Sequence, residues 1–152
     1  MYIHARGPQA LLIAGTNSPT DVLIRAAGAK NAVQDFDGME RLTLEDIHYL
    51  NPDFLLMSKK SIESLEGKIY NVPEIIGFTA YRLGRLIIME ENELLNLGLN
   101  TGKAALQLSK NLYEKQTYTP LPAIPLTGEN ETPAIVEKKN QSEVEIIKKE
   151  EN

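Results

Sequence analysis

No cysteine and no tryptophan occur in the 152 residues of this chain, and histidine appears only twice. Without cysteine there is no disulfide scaffold, no thiolate metal site and no cysteine nucleophile. Two histidines, His4 and His48, are too few for a multi-histidine metal centre. No apolar run reaches the roughly 18 residues of a bilayer-spanning helix. The opening MYIHARGPQ also lacks the basic-then-apolar pattern of a signal peptide. Basic residues are outnumbered 16 to 21, for a net charge of −5, so no cationic stripe is available to neutralise nucleic-acid phosphates. No glycine-rich nucleotide motif and no serine–histidine–carboxylate arrangement is legible. These absences argue against an enzyme and against a nucleic-acid partner.

What is present is a chain long enough for one domain with a real core. Its organising stretch is Ala10 to Gly28: a short apolar strand, a Gly-Thr-Asn-Ser turn, and a helix that starts at once. Ser18 suits the N-cap, Pro19 the first helical position and Asp21 the capping-box position, while Gly28 closes the helix in the left-handed region. Val22, Leu23, Ala26 and Ala27 are expected to share its buried face. If this strand delivers the chain to the carboxyl edge of a sheet, its free N–H groups favour an anion there.

Before it, Tyr2 to Arg6 alternates as a strand, with Tyr2, His4 and Arg6 on one face and Ile3 and Ala5 on the other. Because Met1 to His4 reads as a strand already under way, the chain is expected to be a truncated, split or excised product. Residues 29–41 read as loop, with a very short strand at Ala32-Val33. A helix over 43–50 is expected, capped by Thr43 and stapled by Leu42 to Ile47, then stopped by Asn51-Pro52. Strands buried on both faces are expected over 53–57 and 85–89, a short helix over 61–65, a short helix or turn over 90–99, and an amphipathic helix over 101–113 carrying Ala104, Ala105, Leu108 and Leu112 inward. Residues 73–79 read equally as a helical turn or an extended segment. Strands alternating with helices predict a three-layer α/β sandwich around a mostly parallel sheet.

From residue 115 the composition turns proline-rich and then densely charged, so the expected division is a folded unit over 1–114 and a disordered tail over 115–152. Within the tail, Ile124-Pro125-Leu126-Thr127-Gly128 is close to a sortase signal but lacks the segment that would retain it. Two N-glycosylation sequons start at Asn130 and Asn140.

Few residues carry chemistry. His48 sits in a capped amphipathic helix and reads as surface. His4, beside Arg6 and just before Gly7-Pro8, is either ordinary strand polarity or an accessible imidazole that ligates iron, with a guanidinium alongside suited to carboxylates. Tyr81-Arg82 is either loop surface or a phenol with iron-ligating capacity.

The segments YIHARG, LLIAGTNSPTDVLIRAAGAKNAV, LTLEDIHYLNPDFLLM, SIESLEG, VPEIIGFTAYRLGRLIIME and LNLGLNTGKAALQLSKNLY follow one another over residues 1–113. In that order they resemble the C-terminal lobe of haem (hemin) ABC-importer substrate-binding proteins, a class III, helical-backbone periplasmic binding family. The resemblance implies haem as the transported ligand, held between this lobe and an N-terminal lobe this sequence lacks, and passed to an ABC permease. It implies a periplasmic or cell-surface location, or a cytoplasmic fragment if no export signal precedes the chain. It also implies a cleft lined by His4, Ala5, Arg6 and Gly7 and by Gly15, Thr16, Asn17 and Ser18. Within that cleft, either His4 ligates the iron or Arg6 pairs with a propionate, and Tyr81, next to Arg82, is the second candidate ligand. A siderophore or cobalamin cargo on the same fold, or a protein-interaction module with no small ligand, are the competing expectations.

Overall fold

The computed structural model describes residues 1–114; the expected disorder of the tail, the sortase-like pentapeptide and both sequons lie outside them. Five strands form one sheet: β1 (Tyr2–Ala5), β2 (Leu11–Ala14), β3 (Met39–Arg41), β4 (Leu55–Ser58) and β5 (Leu86–Met89), in the order β3-β2-β1-β4-β5. β1 is parallel to β4 and β4 to β5, whereas β2 is antiparallel to both β1 and β3. The sheet is therefore mixed, with β2 alone running against the other four.

Alternation along each strand sends side chains to two separate cores. Tyr2, Ala14, Leu56, Ile87 and Met89 point to one face. There they meet α1 (Pro19–Ala26), α6 (Glu91–Leu95) and α7 (Thr101–Tyr113) through Leu23, Ile24, Leu94, Ala104, Ala105 and Leu108. Ile3, Ala5, Leu11, Ile13, Leu55 and Met57 point to the other. That face is covered by α3 (Lys59–Ser64), a 3₁₀ turn (Ile69–Asn71), α4 (Pro73–Ile76) and α5 (Thr79–Arg82). This is the three-layer α/β sandwich the alternation predicts. No helix among the described residues is long and apolar enough to cross a membrane.

The local signals of Ala10–Gly28 act as read. Ser18 Oγ accepts from the Asp21 N–H at 3.1 Å, Pro19 opens α1, and Gly28 has φ +82. The buried stripe is rotated from the expected one: Leu23, Ile24 and Ala27 are covered while Ala26 is exposed, the 20, 23, 24, 27 spacing of a helix face. Other expectations need correction. The strand in 29–41 is β3, not Ala32-Val33; Val33 is buried without being a strand residue. The helix expected over 43–50 is a single turn, α2 (Asp46–Tyr49), and Thr43 donates its N–H and hydroxyl to the Asp46 carboxylate instead of capping. Residues 73–79 resolve into α4 and the start of α5. β5 is an edge strand, so Ile88 stays 40% exposed where burial on both faces was expected.

Candidate functional site at the carboxyl edge of the sheet

β1, β4 and β5 all end at the same edge of the sheet, and here β1 loses its neighbour. β4 stops at Ser58 and turns into α3, which leaves Ala5 without a ladder partner on that side. Buried backbone groups must be paired, and serines from α3 do it. The Ala5 N–H donates to Ser61 Oγ at 3.0 Å, Ser64 Oγ donates to the Ala5 carbonyl at 2.9 Å, and the Gly7 N–H donates to Ser64 Oγ at 3.2 Å. Ser58 caps α3 by accepting from the Ser61 N–H, and its hydroxyl meets that of Ser61 at 2.9 Å. The S-x-x-S-x-x-S spacing of 58, 61 and 64 thus places one helical face against the end of β1.

Over this edge lies an open cleft of about 640 Å³ lined by His4, Ala5, Arg6, Lys60, Ser64, Glu91, Asn92, Leu95 and Asn96. Lys60 pairs with Glu91 at 2.6 Å and Lys59 with Glu90, tying α3 to the start of α6 across the cleft. The Lys60 ammonium holds the Glu91 carboxyl below the usual carboxylate range. Of the two readings of His4, ordinary strand polarity or an accessible imidazole, its 8% exposure goes against the second. Its Nε2 accepts from Arg6 Nε at 3.2 Å and its Nδ1 lies 3.2 Å from the Tyr2 hydroxyl. Burial, then the Arg6 charge, pushes the imidazole below its ordinary value against a smaller opposing pull from Glu91. Burial likewise raises the Tyr2 phenol. Arg6 itself is exposed, and its two Nη groups make no hydrogen bond to the described residues.

The remaining expected site residues lie elsewhere. Ile3 pairs with Ile13 and Ala5 with Leu11, so β2 ends where β1 begins. The Gly15–Ser18 turn therefore leaves the sheet at the amino edge, about a strand's length from Arg6 and Gly7. Thr16 and Asn17 bond there to the Asp37 carboxylate beside β3. The expectation that this turn opens at the carboxyl edge and shares a cleft with His4–Gly7 is corrected by the direction of β2. A signal for this exists: Arg6 to Ala10 is too short a connection for a parallel crossover, which needs a dozen or more residues, and suffices only for a hairpin. Tyr81 and Arg82 belong to α5, which leads into the start of β5, again at the amino edge. Tyr81 packs half-buried against the core on the face opposite His4, and burial, with Tyr70 as a smaller cause, raises its phenol, which disfavours the phenolate. Arg82 is exposed and donates to Thr79 Oγ1 at 3.1 Å. His4 and Tyr81 thus occupy opposite edges and opposite faces. His48 is exposed, as expected. A second cavity, of about 750 Å³, opens at the amino edge among Ile24, Phe54, Arg85 and Leu108, and none of the expected site residues lines it.

Sequence reasoning missed Lys60, Ser64, Glu91, Asn92 and Asn96. The serine spacing and the matched Lys59-Lys60 and Glu90-Glu91 pairs were the available signals; that they meet follows only from β4 and β5 being adjacent and parallel. Among the described residues no cluster of three or more His, Asp or Glu side chains is arranged to hold a metal ion.

No family model and no curated protein matches the chain. Solved structures do. The periplasmic heme-binding protein RhuT from Roseiflexus sp. RS-1, in its apo form, aligns with a TM-score of 0.67 and 31% identity, over 74% of this chain and 44% of its own. BhuT, a periplasmic heme-binding protein in complex with two hemes, aligns at 0.66 and 27% identity, over 73% and 42%. HutB of Vibrio cholerae, a periplasmic heme-binding protein, aligns at 0.64 and 23% identity, over 74% and 46%, a likeness of fold alone. The chain spans less than half the length of each.

Proposed function

We propose that this chain, a partial relative of the periplasmic haem-binding proteins, is a haem-binding lobe of an ABC-importer substrate-binding protein and not an enzyme. The observation that carries the reading is the 31% identity to one such protein along the length of the lobe. The carboxyl-edge cleft supports it, being within the size range of small-ligand sites and edged by Arg6, whose Nη groups make no hydrogen bond to the described residues. In this reading haem lies across the edge and Arg6 pairs with a propionate as a bidentate fork, while Lys60 stays with Glu91. Gly7 lets the chain pass close to the ligand. A second wall, of the length by which the relatives exceed this chain, closes the cleft, and an ABC permease receives the cargo on the periplasmic or cell-surface side. The 115–152 segment lies outside the binding unit. Gly15, Thr16, Asn17, Tyr81 and Arg82 are not used in the same half-site.

Titration with hemin, followed in the Soret region, tests this. A saturable shift that Arg6→Ala weakens about tenfold, the worth of one hydrogen bond to a charged group, is expected. No Soret change with hemin, while cobalamin or a ferric siderophore quenches tyrosine fluorescence, would move the cargo to those chelates. No response to any of the three would leave a protein-interaction module.

A further inference from the structure

Of the polar groups in the carboxyl-edge cleft, His4 is the one whose every ring nitrogen is already engaged. Arg6 Nε carries a hydrogen at all pH values, so the 3.2 Å contact makes His4 Nε2 the acceptor. The proton of the neutral ring then sits on Nδ1, which donates to the Tyr2 hydroxyl at 3.2 Å. Tyr2 is fully buried, beside the hydroxyls of Ser58, which caps α3, and Ser61, which fastens α3 to β1. A line of groups therefore runs from the α3 serines through Tyr2 and His4 to Arg6. Binding Arg6, a residue lining the cleft, at Nε restrains its guanidinium and leaves Nη1 and Nη2, the fork that matches a carboxylate, with no hydrogen bond to the described residues. Glu91 does not compete for that fork, because Lys60 holds its carboxylate at 2.6 Å.

We propose that His4 is the positioning residue for Arg6, orienting its guanidinium toward a carboxylate ligand, and is not a ligand to the cargo's iron. An imidazole that ligates through Nε2 must first give up Arg6, and the guanidinium then loses the contact that aims it. The arrangement itself is a property of the ligand-free chain; only the identity of the carboxylate rests on the haem reading.

Two variants separate the roles because their amides mimic different ring nitrogens. His4→Gln reaches the Nε2 position and keeps an acceptor for Arg6; His4→Asn reaches only the Nδ1 position and keeps the Tyr2 contact alone. The first measurement contains no ligand: the arginine Nε–H resonance of Arg6 in the full chain, assigned with Arg6→Lys. Slow solvent exchange in the wild type and in His4→Gln, and the fast exchange of a solvated arginine in His4→Asn, is expected. An Arg6 resonance that exchanges fast in the wild type, or is unaltered in His4→Asn, overturns the proposal. The second measurement is hemin titration. His4→Asn and Arg6→Ala each weaken binding about tenfold and the double variant no further, since both remove one interaction. His4→Gln keeps the affinity and the Soret and spin-state signature of the bound hemin. A changed spin state in His4→Gln makes His4 an iron ligand and overturns the proposal. Absence of hemin binding in the wild type removes the haem reading, and the resonance still decides this one.

Discussion

Ala5 shows how much a single backbone position asks of its neighbours. Its N–H and C=O are buried at the point where β4 departs, and two serine hydroxyls replace the missing strand. Ser61→Ala leaves the N–H without an acceptor, and the expected loss is about 1–3 kcal/mol in a urea unfolding midpoint. Ser64→Ala, at the exposed rim, is expected to cost less, because water can take its place. His4 adds a pH dependence whose sign is fixed by its depressed folded value. Below its ordinary 6.5 the unfolded chain binds more protons than the folded one, so stability falls as pH is lowered from 6.5 toward the folded value. His4→Gln should flatten that slope when unfolding midpoints are compared at neutral and mildly acidic pH. Glu91, also depressed, acts in a separate window: its contribution is present above its ordinary 4.5 and is lost as pH falls below it.

At the scale of elements, the turn into α1 is the most constrained part of the lobe. Gly15 N–H donates to Gly38 carbonyl and Thr16 N–H to Phe36 carbonyl, both at 2.8 Å, which pins the turn against the strand that follows. A Cβ at Gly15 would sit 2.2 Å from the Phe36 carbonyl oxygen, a backbone atom with no room to retreat. Gly15→Ala is therefore expected to destabilise by at least the roughly 1–3 kcal/mol of an overpacked core, seen as a large fall in melting temperature. Ser18→Ala removes both the cap to the Asp21 N–H and the hydroxyl's 2.8 Å hydrogen bond to the Gly15 carbonyl, and is expected to cost about 1–2 kcal/mol. α2 and β3 make the opposite point. Met39, Glu40 and Arg41 are all exposed and carry no apolar alternation; they form a strand because β2 needs partners on its outer side. α2 shortens to one turn because Asp46 is taken up by Thr43 and Asn51-Pro52 forces the chain extended.

The whole molecule is two cores sharing one sheet. Ile75 is fully buried on the face of α3 to α5, and Leu108 is 2% exposed on the face of α1, α6 and α7. Replacing either by alanine should cost about 2–5 kcal/mol. Since the two face opposite sides of the sheet and share no neighbours, their costs should add to within about 0.5 kcal/mol in the double variant. A clear departure from additivity in urea titrations would mean the layers are coupled more closely than their packing implies. The cleft belongs to this scale as well, since β1, α3 and α6 each supply only part of it.

Ser18, Pro19 and Gly28 bound α1, and the runs at 53–57 and 85–89 mark strands, because caps, breakers and apolar periodicity act over a few neighbouring residues. The α/β class and the inward face of α7 follow from the same short-range chemistry. The direction of β2, the existence of β3, the burial of His4 and the meeting of Lys60 with Glu91 were decided only by the tertiary structure. Each depends on which backbone groups of one strand are left to be paired by another. Local chemistry proposes the strands, but hydrogen bonds between distant segments choose their order, their direction and the edge at which side chains gather.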